Sequence, residues 1–203
     1  MLQIKTFSAP LPYLETIAEM EKTAENIRKR GAPEQIWLLQ HPNLYTRGIS
    51  AKDDELLDPA RLPVYASGRG GKFTFHGIGQ RIGYIMLNLP ARSLGVKAFI
   101  SLTENWLIDA LSMLGVPAFI KPGLIGVWVN DKGEDKKIAA IGVRILHGIS
   151  THGFALNVSP DMTHFKGIIP CGLKDYAVTS LAELGVRKSL AQVDSALRRT
   201  NPF

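Results

Sequence analysis

Cysteine is almost absent from this chain of 203 residues, which has only Cys171, in the segment GIIPCGL at 167–173. A lone cysteine excludes an internal disulfide bond. The sequence also contains no CxxC pair and no Cys and His cluster with zinc-binding spacing. We therefore expect a reducing compartment and no bound metal.

Long apolar runs are missing as well. No stretch of about 18 apolar residues is present to span a membrane, and the start, MLQIKTFSAP, lacks the charged and apolar regions of a secretory signal. We therefore expect a cytoplasmic protein that does not associate with membranes.

Signatures of nucleic-acid binding are missing too, because the chain has no run of Lys and Arg, no RNA-binding aromatic motif and no zinc finger. We expect no nucleic-acid partner, although the formal net charge is +6. A positive charge of this kind is compatible with an acidic protein partner, because long-range steering depends on sign.

The glycines do not form a nucleotide-binding motif. Gly77, Gly79 and Gly83 are spaced one residue wider than the dinucleotide fingerprint, and the segment after them alternates like a strand. No GxxxxGK[ST] sequence is present. We therefore expect no cofactor.

The remaining pattern predicts one α+β domain over 1–203, in which helices pack on a mixed, largely antiparallel sheet. Strand patterns occur at 3–8 and in EQIWLLQHP, and consecutive strands with tight turns are predicted between 125 and 158. Helical patterns occupy about 12–30, ending at Gly31, and about 97–114. Two further helices are predicted in AVTSLAELG at 177–185 and SLAQVDSALRR at 189–199.

The strand FTFH at 73–76 has two chemically different faces. Phe73 and Phe75 share one face, and the period of two puts their neighbours on the other: Lys72, Thr74 and His76. Gly70 and Gly71 leave backbone N–H groups accessible in front of the strand. Such a surface is suited to binding a carbonyl or acyl group, although turns and bulges in a sheet also use glycines spaced in this way.

Several motifs together resemble one family. They are RGGKFTFHGIGQ (69–80), KIAAIGVRI (137–145), HGFALNV (152–158) and IPCG (169–172), preceded by IWLLQHPNLYTRG at 36–48. In order and separation they are similar to the lipoyl (octanoyl) transferases of lipoate biosynthesis, over roughly residues 13–181. The family usually has Gln at Lys72 and Pro at Ile78. The resemblance implies the α+β fold of the biotin and lipoate protein ligases.

The resemblance also implies a reaction. Family members transfer an octanoyl group from octanoyl-acyl carrier protein to a specific lysine of lipoyl domains, in 2-oxoacid dehydrogenase E2 subunits and the glycine cleavage H protein. Cys171 would carry the acyl group as a thioester, which stays activated for attack by an amine. Lys137 would favour the thiolate and act as general base. Lys136, beside it, is expected at the solvent side because adjacent strand residues point to opposite faces.

The resemblance further implies a set of substrate-binding residues: Arg69, Gly70, Gly71, Lys72, Phe73, Thr74, Phe75, His76, Ala140, Ile141, Gly142, His152, Gly153, Phe154 and Ala155. Their small and apolar members leave room for an eight-carbon chain. His76 and His152 are equally compatible with structural hydrogen bonds at strand ends, and Arg69 with either a structural pair or contact to the acidic groups of the donor.

Two other functions are compatible with the same fold. An ATP-dependent lipoate protein ligase typically has HD and GN where this chain reads HGIGQ, and it needs no cysteine at position 171. A non-catalytic acyl-binding protein would bind the chain without turnover.

Overall fold

A computed structural model of the chain describes residues 2–172 and 176–203. The side chain of Cys171 lies outside the described part, as do residues 173–175.

The larger sheet has seven described strands in the order β1-β2-β6-β10-β9-β8-β7. Their bounds are β1 Gln3–Thr6, β2 Gln35–Leu39, β6 Gln80–Met86, β7 Phe119–Lys121, β8 Leu124–Asp131, β9 Glu134–Leu146 and β10 Ile149–Asn157. The pair β1 and β2 is parallel and the other pairs are antiparallel. A smaller sheet has the order β4-β3-β5, formed by β3 Leu44–Arg47, β4 Val64–Ala66 and β5 Phe73–His76.

Three α-helices are described: α1 Tyr13–Arg30, α2 Val96–Met113 and α3 Leu190–Arg199. Helix α1 ends at Gly31, whose φ of 62° lies in the left-handed region that glycine adopts without steric cost. Helix α3 begins with a capping box between Ser189 and Gln192.

Strand alternation distributes the helices over two faces of the larger sheet. Trp37 and Leu39 of β2 pack with Met20 of α1, whereas Ile36 and Leu38 belong to a separate core with residues of α2 and α3. The sheet is therefore covered by α1 on one face and by α2 and α3 on the other. The predicted α+β class, with a mixed and largely antiparallel sheet, is confirmed.

The predicted helix at 177–185 is wrong. Backbone N–H groups of this segment bond laterally to the sheet: Thr179 to the carbonyl of Lys137, Leu181 to that of Asn157 and Ala182 to that of Val158. Because these donors are used across strands, they are not available for helical i to i−4 bonds. The segment runs along the edge of the site described below.

Among the described helices, none combines the length and apolar character needed to cross a membrane.

Candidate active site

Four small residues lie side by side in the middle of the larger sheet. Gly153 of β10 pairs with Gly142 of β9, and Ala155 pairs with Ala140 two residues along. Residues two apart on a strand share a face, so all four side-chain positions open on the same side. The missing side-chain volume leaves a trough between β9 and β10, on the face that α1 covers.

A cavity of about 540 Å³ lies over this trough. The volume is in the range of small-molecule sites. The motif at 69–80, called the first motif below, contributes Arg69, Gly70, Gly71, Lys72, Thr74 and His76 to its lining. From β9 and β10 it is lined by Lys137, Ala140, Ile141, Gly142, His152, Gly153, Phe154 and Ala155. Three motifs of the sequence, at 69–80, 137–145 and 152–158, thus supply the lining of one cavity. The fourth, IPCG, flanks it.

Phe73 and Phe75, which were expected among the substrate-binding residues, are not part of the lining of this cavity. Both are fully buried in a small apolar cluster with Tyr45, Phe165 and Ile168. The physical reason is strand alternation, because the face opposite Thr74 packs against the segment around 165. The two rings support β5 from behind.

Lys137 is buried, with 5% of its surface exposed, and lines the cavity from β9. Its Nζ lies 5.7 Å from the centre of the Trp128 ring on the neighbouring strand. Lys136 has a different environment, since its Nζ pairs with Asp131 at 2.8 Å near the solvent. The two adjacent lysines therefore face different surroundings, as strand alternation predicts.

The chain comes close to Lys137 both before and after Cys171. Residues Pro170–Gly172 form a short 3-10 turn, and Pro170 and Lys137 line the same small crevice. On the far side of the turn, the N–H of Lys137 donates to the carbonyl of Ala177 at 2.9 Å. Gly172 lies directly against the side chain of Lys72, which also lines the cavity. The turn that carries Cys171 is thus held at the border of the cavity, while the position of the thiol itself is outside the described residues.

Lys72 forms an ion pair with Glu55, and the Glu55 carboxylate is almost completely buried. The backbone carbonyl of Glu55 accepts a hydrogen bond from Ile169 at 2.8 Å. The pair therefore connects the first motif with the segment that leads into the turn at 170–172.

Arg69 is mainly a structural residue. Its Nη2 donates to the carbonyl and the hydroxyl of Thr46 at 3.0 and 2.7 Å, and to the carbonyl of Lys72 at 2.9 Å. Arg69 as a whole is 7% exposed, and its guanidinium ties β3 to the loop in front of β5. Of the two alternatives for Arg69, this geometry supports the structural one.

The two cavity histidines are neutral near pH 7. Burial, with Arg69 and Arg144 nearby, lowers the pKa of His152 to about 3. Burial, with Arg69 nearby, also holds the pKa of His76 well below its usual range. Nδ1 of His76 lies 3.4 Å from the Gln80 side-chain oxygen, to which it can donate. Such weakly basic imidazoles are poor proton acceptors at neutral pH.

His152 has two unusual features. Its φ is 59°, in the left-handed region that non-glycine residues seldom adopt. Its Nε2 lies 3.3 Å from the Ser67 hydroxyl, whereas Nδ1 has no hydrogen-bond partner among the described groups. A buried polar atom in this condition is costly unless a ligand satisfies it.

A second polar layer lies behind the cavity and was not predicted from the sequence. Nδ1 of His41 donates to the carbonyl of Leu11 at 2.7 Å, so its Nε2 accepts from the hydroxyl of Tyr84, also at 2.7 Å. The Tyr13 ring lies edge-on to His41, and both tyrosines line the cavity. The sequence carried only a weak signal for this layer, because its members come from α1, from β6 and from the segment just after β2, and meet only in the fold.

The cavity also has apolar lining that the motifs do not contain: Val96, Ile100, Leu124 and Ile125. Val96 and Ile125 are about half exposed, at 46% and 52%. A chain bound over the trough could thus extend between the start of α2 and the start of β8. Within the described residues, no group of three or more His, Cys, Asp or Glu side chains could hold a metal ion.

The fold is shared with solved lipoate and biotin protein ligases. A putative lipoate protein ligase from Thermoplasma acidophilum superimposes with a TM-score of 0.71 at 16% identity, covering 98% of this chain and 83% of that one. A biotin acetyl coenzyme A carboxylase synthetase from Helicobacter pylori gives a TM-score of 0.54 at 13% identity, over 98% and 73% of the two chains. At these identities the likeness concerns the fold alone, and the predicted ligase-like architecture is confirmed.

Sequence comparison identifies the family. The model of the lipoyl protein ligase A/B catalytic domain matches residues 12–200. A protein of Rhizorhabdus wittichii named Octanoyltransferase is 52% identical over 191 residues, which are 94% of this chain and 86% of that protein. An Octanoyltransferase of Caulobacter vibrioides is 49% identical over 193 residues, covering 93% and 85%. The chain belongs to the lipoyl protein ligase A/B catalytic domain family, and the expected resemblance to the octanoyltransferases, which are acyltransferases, is confirmed.

Proposed function

We propose that the protein transfers an octanoyl group from octanoyl-acyl carrier protein to a lysine of a lipoyl domain, through a thioester on Cys171. Close relatives carry the name Octanoyltransferase, which supports the octanoyl group as the cargo. The observation that carries the proposal for this chain is the trough of Gly142, Gly153, Ala140 and Ala155, which adjoins a buried lysine.

The trough is suited to an alkyl chain. Its floor consists of small residues and its extension of apolar ones, so a bound chain would lose contact with water. Burial of apolar surface contributes about 0.8 kcal/mol per CH₂ group before the costs of binding are counted. The acyl carbonyl would then lie near the polar end formed by the first motif.

In the first half-reaction, the thiolate of Cys171 attacks the thioester carbonyl and the bond to the pantetheine sulfur breaks. Lys137 removes the thiol proton before attack and returns it to the departing pantetheine thiolate, which leaves as the thiol. In the second, the uncharged acceptor lysine attacks the acyl enzyme, a proton passes from its amine to Lys137, and the cysteine thiol is restored. Transfer between two thioesters is nearly balanced in energy, and the final amide makes the sequence favourable.

Lys137 is the better candidate for this base than the cavity histidines. The pKa values of His76 and His152 are lowered by burial, so neither accepts a proton readily at neutral pH. We assign His152 a binding role instead, because it lines the cavity beside Gly153 of the trough.

An assay without ATP tests the proposal. Purified protein is incubated with octanoyl-acyl carrier protein and apo lipoyl domain, and acceptor octanoylation is followed by intact mass. Transfer without ATP is the expected result. Strict dependence on ATP with free octanoate or lipoate would instead identify a ligase, and the absence of turnover with either donor would leave an acyl-binding protein.

A further inference from the structure

Trp128 contacts Lys137 and also Tyr176, which follows the turn that carries Cys171. It stands on β8 directly opposite Lys137 in the strand pairing, and its side chain is fully buried. The Lys137 Nζ lies 5.7 Å from the indole centre, within the range of a cation–π interaction. The Tyr176 ring meets the same indole edge-on, with ring centres 5.1 Å apart.

Tyr176 comes shortly after the turn that carries Cys171, so the indole links the lysine to the chain leaving that turn. The backbone strengthens this link, because Lys137 exchanges hydrogen bonds with Ala177 and Thr179, both at 2.9 Å. Trp128 therefore lies where a small displacement would change the spacing between Lys137 and the turn at 170–172.

The local strand geometry is adapted to this contact. The pairing of β8 and β9 shifts register between Val127 and Trp128. Just before the shift, Gly126 has a φ of 121°, and a Cβ there would come within 3.1 Å of the Lys137 Nζ and 2.6 Å of the Ala139 carbonyl. Glycine is thus needed to let the stem of Lys137 cross β8 and reach the indole.

The outer side of the aromatic pair is closed by a second cation. Lys121 Nζ lies 5.0 Å from the Tyr176 ring centre and 5.9 Å from that of Trp128, and Asp135 holds it in an ion pair. The ammonium groups of Lys121 and Lys137 both lie within about 6 Å of the indole centre, at 5.9 and 5.7 Å, and restrict its freedom to move. This arrangement is more typical of a side chain that holds its neighbours in place than of one that only fills the core.

We propose that Trp128 is a positioning residue that holds Lys137 in register with Cys171. The proposal rests on the proposed function, because it concerns the position of Lys137, the proposed base. The indole acts through Lys137 and does not contact the substrate. Its removal should therefore slow the acylation step and leave donor binding nearly unchanged.

The test compares Trp128→Leu, which removes the ring, with Trp128→Phe, which keeps an aromatic face. Trp106→Phe is the matched control, because Trp106 is also buried but lies on α2, where its Nε1 donates to Leu197 at 2.8 Å. Its ring meets Phe154 and Phe203 edge-on, and Phe keeps a ring against both. The single-turnover acylation rate, the KM for octanoyl-acyl carrier protein and the pH profile of Cys171 alkylation by iodoacetamide are measured for each, with the folded fraction determined by circular dichroism.

For Trp128→Leu we expect acylation to slow by about tenfold or more, with KM within about twofold, since a desolvated cation–π contact is worth about that factor. The alkylation profile should move towards that of a free thiol, because a displaced ammonium stabilises the thiolate less. Trp128→Phe should recover most of the rate, and Trp106→Phe should match the wild type per folded molecule.

If Trp128→Leu gives the wild-type rate and alkylation profile, the positioning role is wrong. Lys137→Met in the same series separates this failure from that of the proposed function: an inactive Lys137→Met beside a normal Trp128→Leu refutes only the positioning role.

If Trp128→Leu does not fold, tetrafluorotryptophan incorporated into a Trp37→Phe, Trp106→Phe background replaces it. Fluorination weakens the ring's attraction for a cation with little change of shape, so an unchanged acylation rate there would equally overturn the proposal.

Discussion

At the scale of single residues, Lys137 and Lys136 differ in environment although they are adjacent in sequence. Lys137 is buried beside the cavity and Lys136 pairs with Asp131. We predict that Lys137→Met lowers the acylation rate by about 10² to 10⁴, the range typical of a general acid or base, while Lys136→Met changes it little. Single-turnover mass spectrometry measures both rates. Equal losses in the two variants would show that bulk charge, and not a positioned base, matters.

His152 provides a second residue-scale prediction, on stability. Its pKa is about 3 in the folded protein, against about 6.5 in the unfolded chain. Between these values the unfolded state binds the extra proton, so this histidine makes the folded state lose stability as the pH falls from about 6.5 towards 3. The contribution is at most about 1.4 kcal/mol per pH unit.

His152→Asn tests this sign, because Asn tolerates the left-handed backbone at φ 59°. Urea unfolding is followed at several pH values between 7 and 4. The difference in unfolding free energy between variant and wild type should shift in favour of the variant as the pH falls. A difference independent of pH would contradict the buried, neutral state of His152.

At the scale of elements, the strand pair β9 and β10 forms the floor of the site. Its small residues were identified in the sequence through family motifs, and strand pairing explains why they act together. We predict that Ala155→Leu fills the trough, so transfer from an octanoyl thioester falls at least tenfold while a butanoyl thioester loses less, because the longer chain needs the volume that Leu occupies.

The ratio of octanoyl to butanoyl transfer rates is the measurement for this variant. Ala191→Leu serves as its control, because Ala191 is exposed on α3, outside the cavity. A ratio unchanged from wild type in Ala155→Leu would mean that the acyl chain does not bind over the trough.

Elements with strong periodicity were predictable, and those decided by distant contacts were not. Helices α1 and α2 begin within one residue of the predicted starts, because their apolar spacing is strongly helical. The glycines that follow them, Gly31 and Gly115, indicate where they end. The stretch 177–185 has an equally helical composition but pairs with Lys137, Asn157 and Val158, which no local pattern reveals. The layer of His41, Tyr84 and Tyr13 was missed for the same reason.

The contact between Trp128 and Lys137 was not predicted either. In the sequence, GVWVN is only an apolar alternation, and the contact depends on the pairing of β8 with β9. Most of the site residues taken from the motifs line one cavity, whereas Phe73 and Phe75 lie in the apolar cluster behind β5. A motif identifies a segment, whereas the fold decides which of its side chains face the cavity.

At the scale of the whole molecule, the formal net charge of +6 bears on the encounter with a donor protein. If the donor is an acidic carrier protein, the two surfaces attract over about 8 to 10 Å at physiological salt. We predict that kcat/KM for octanoyl-acyl carrier protein falls as salt rises, because steering acts on the association rate. An octanoyl thioester of a small thiol should show much less salt dependence, and equal sensitivity of the two donors would contradict steering by the protein surface.

Passage of the octanoyl group through Cys171 can be followed by the intact mass of the protein after mixing with octanoyl-acyl carrier protein alone. We expect one added octanoyl group, located on Cys171, removed by hydroxylamine, absent in Cys171→Ala and lost on addition of apo lipoyl domain. Thioesters are cleaved by hydroxylamine, so its effect distinguishes the intermediate from an amide on a lysine. Transfer to the lipoyl domain by Cys171→Ala at the wild-type rate would rule out the thioester on Cys171.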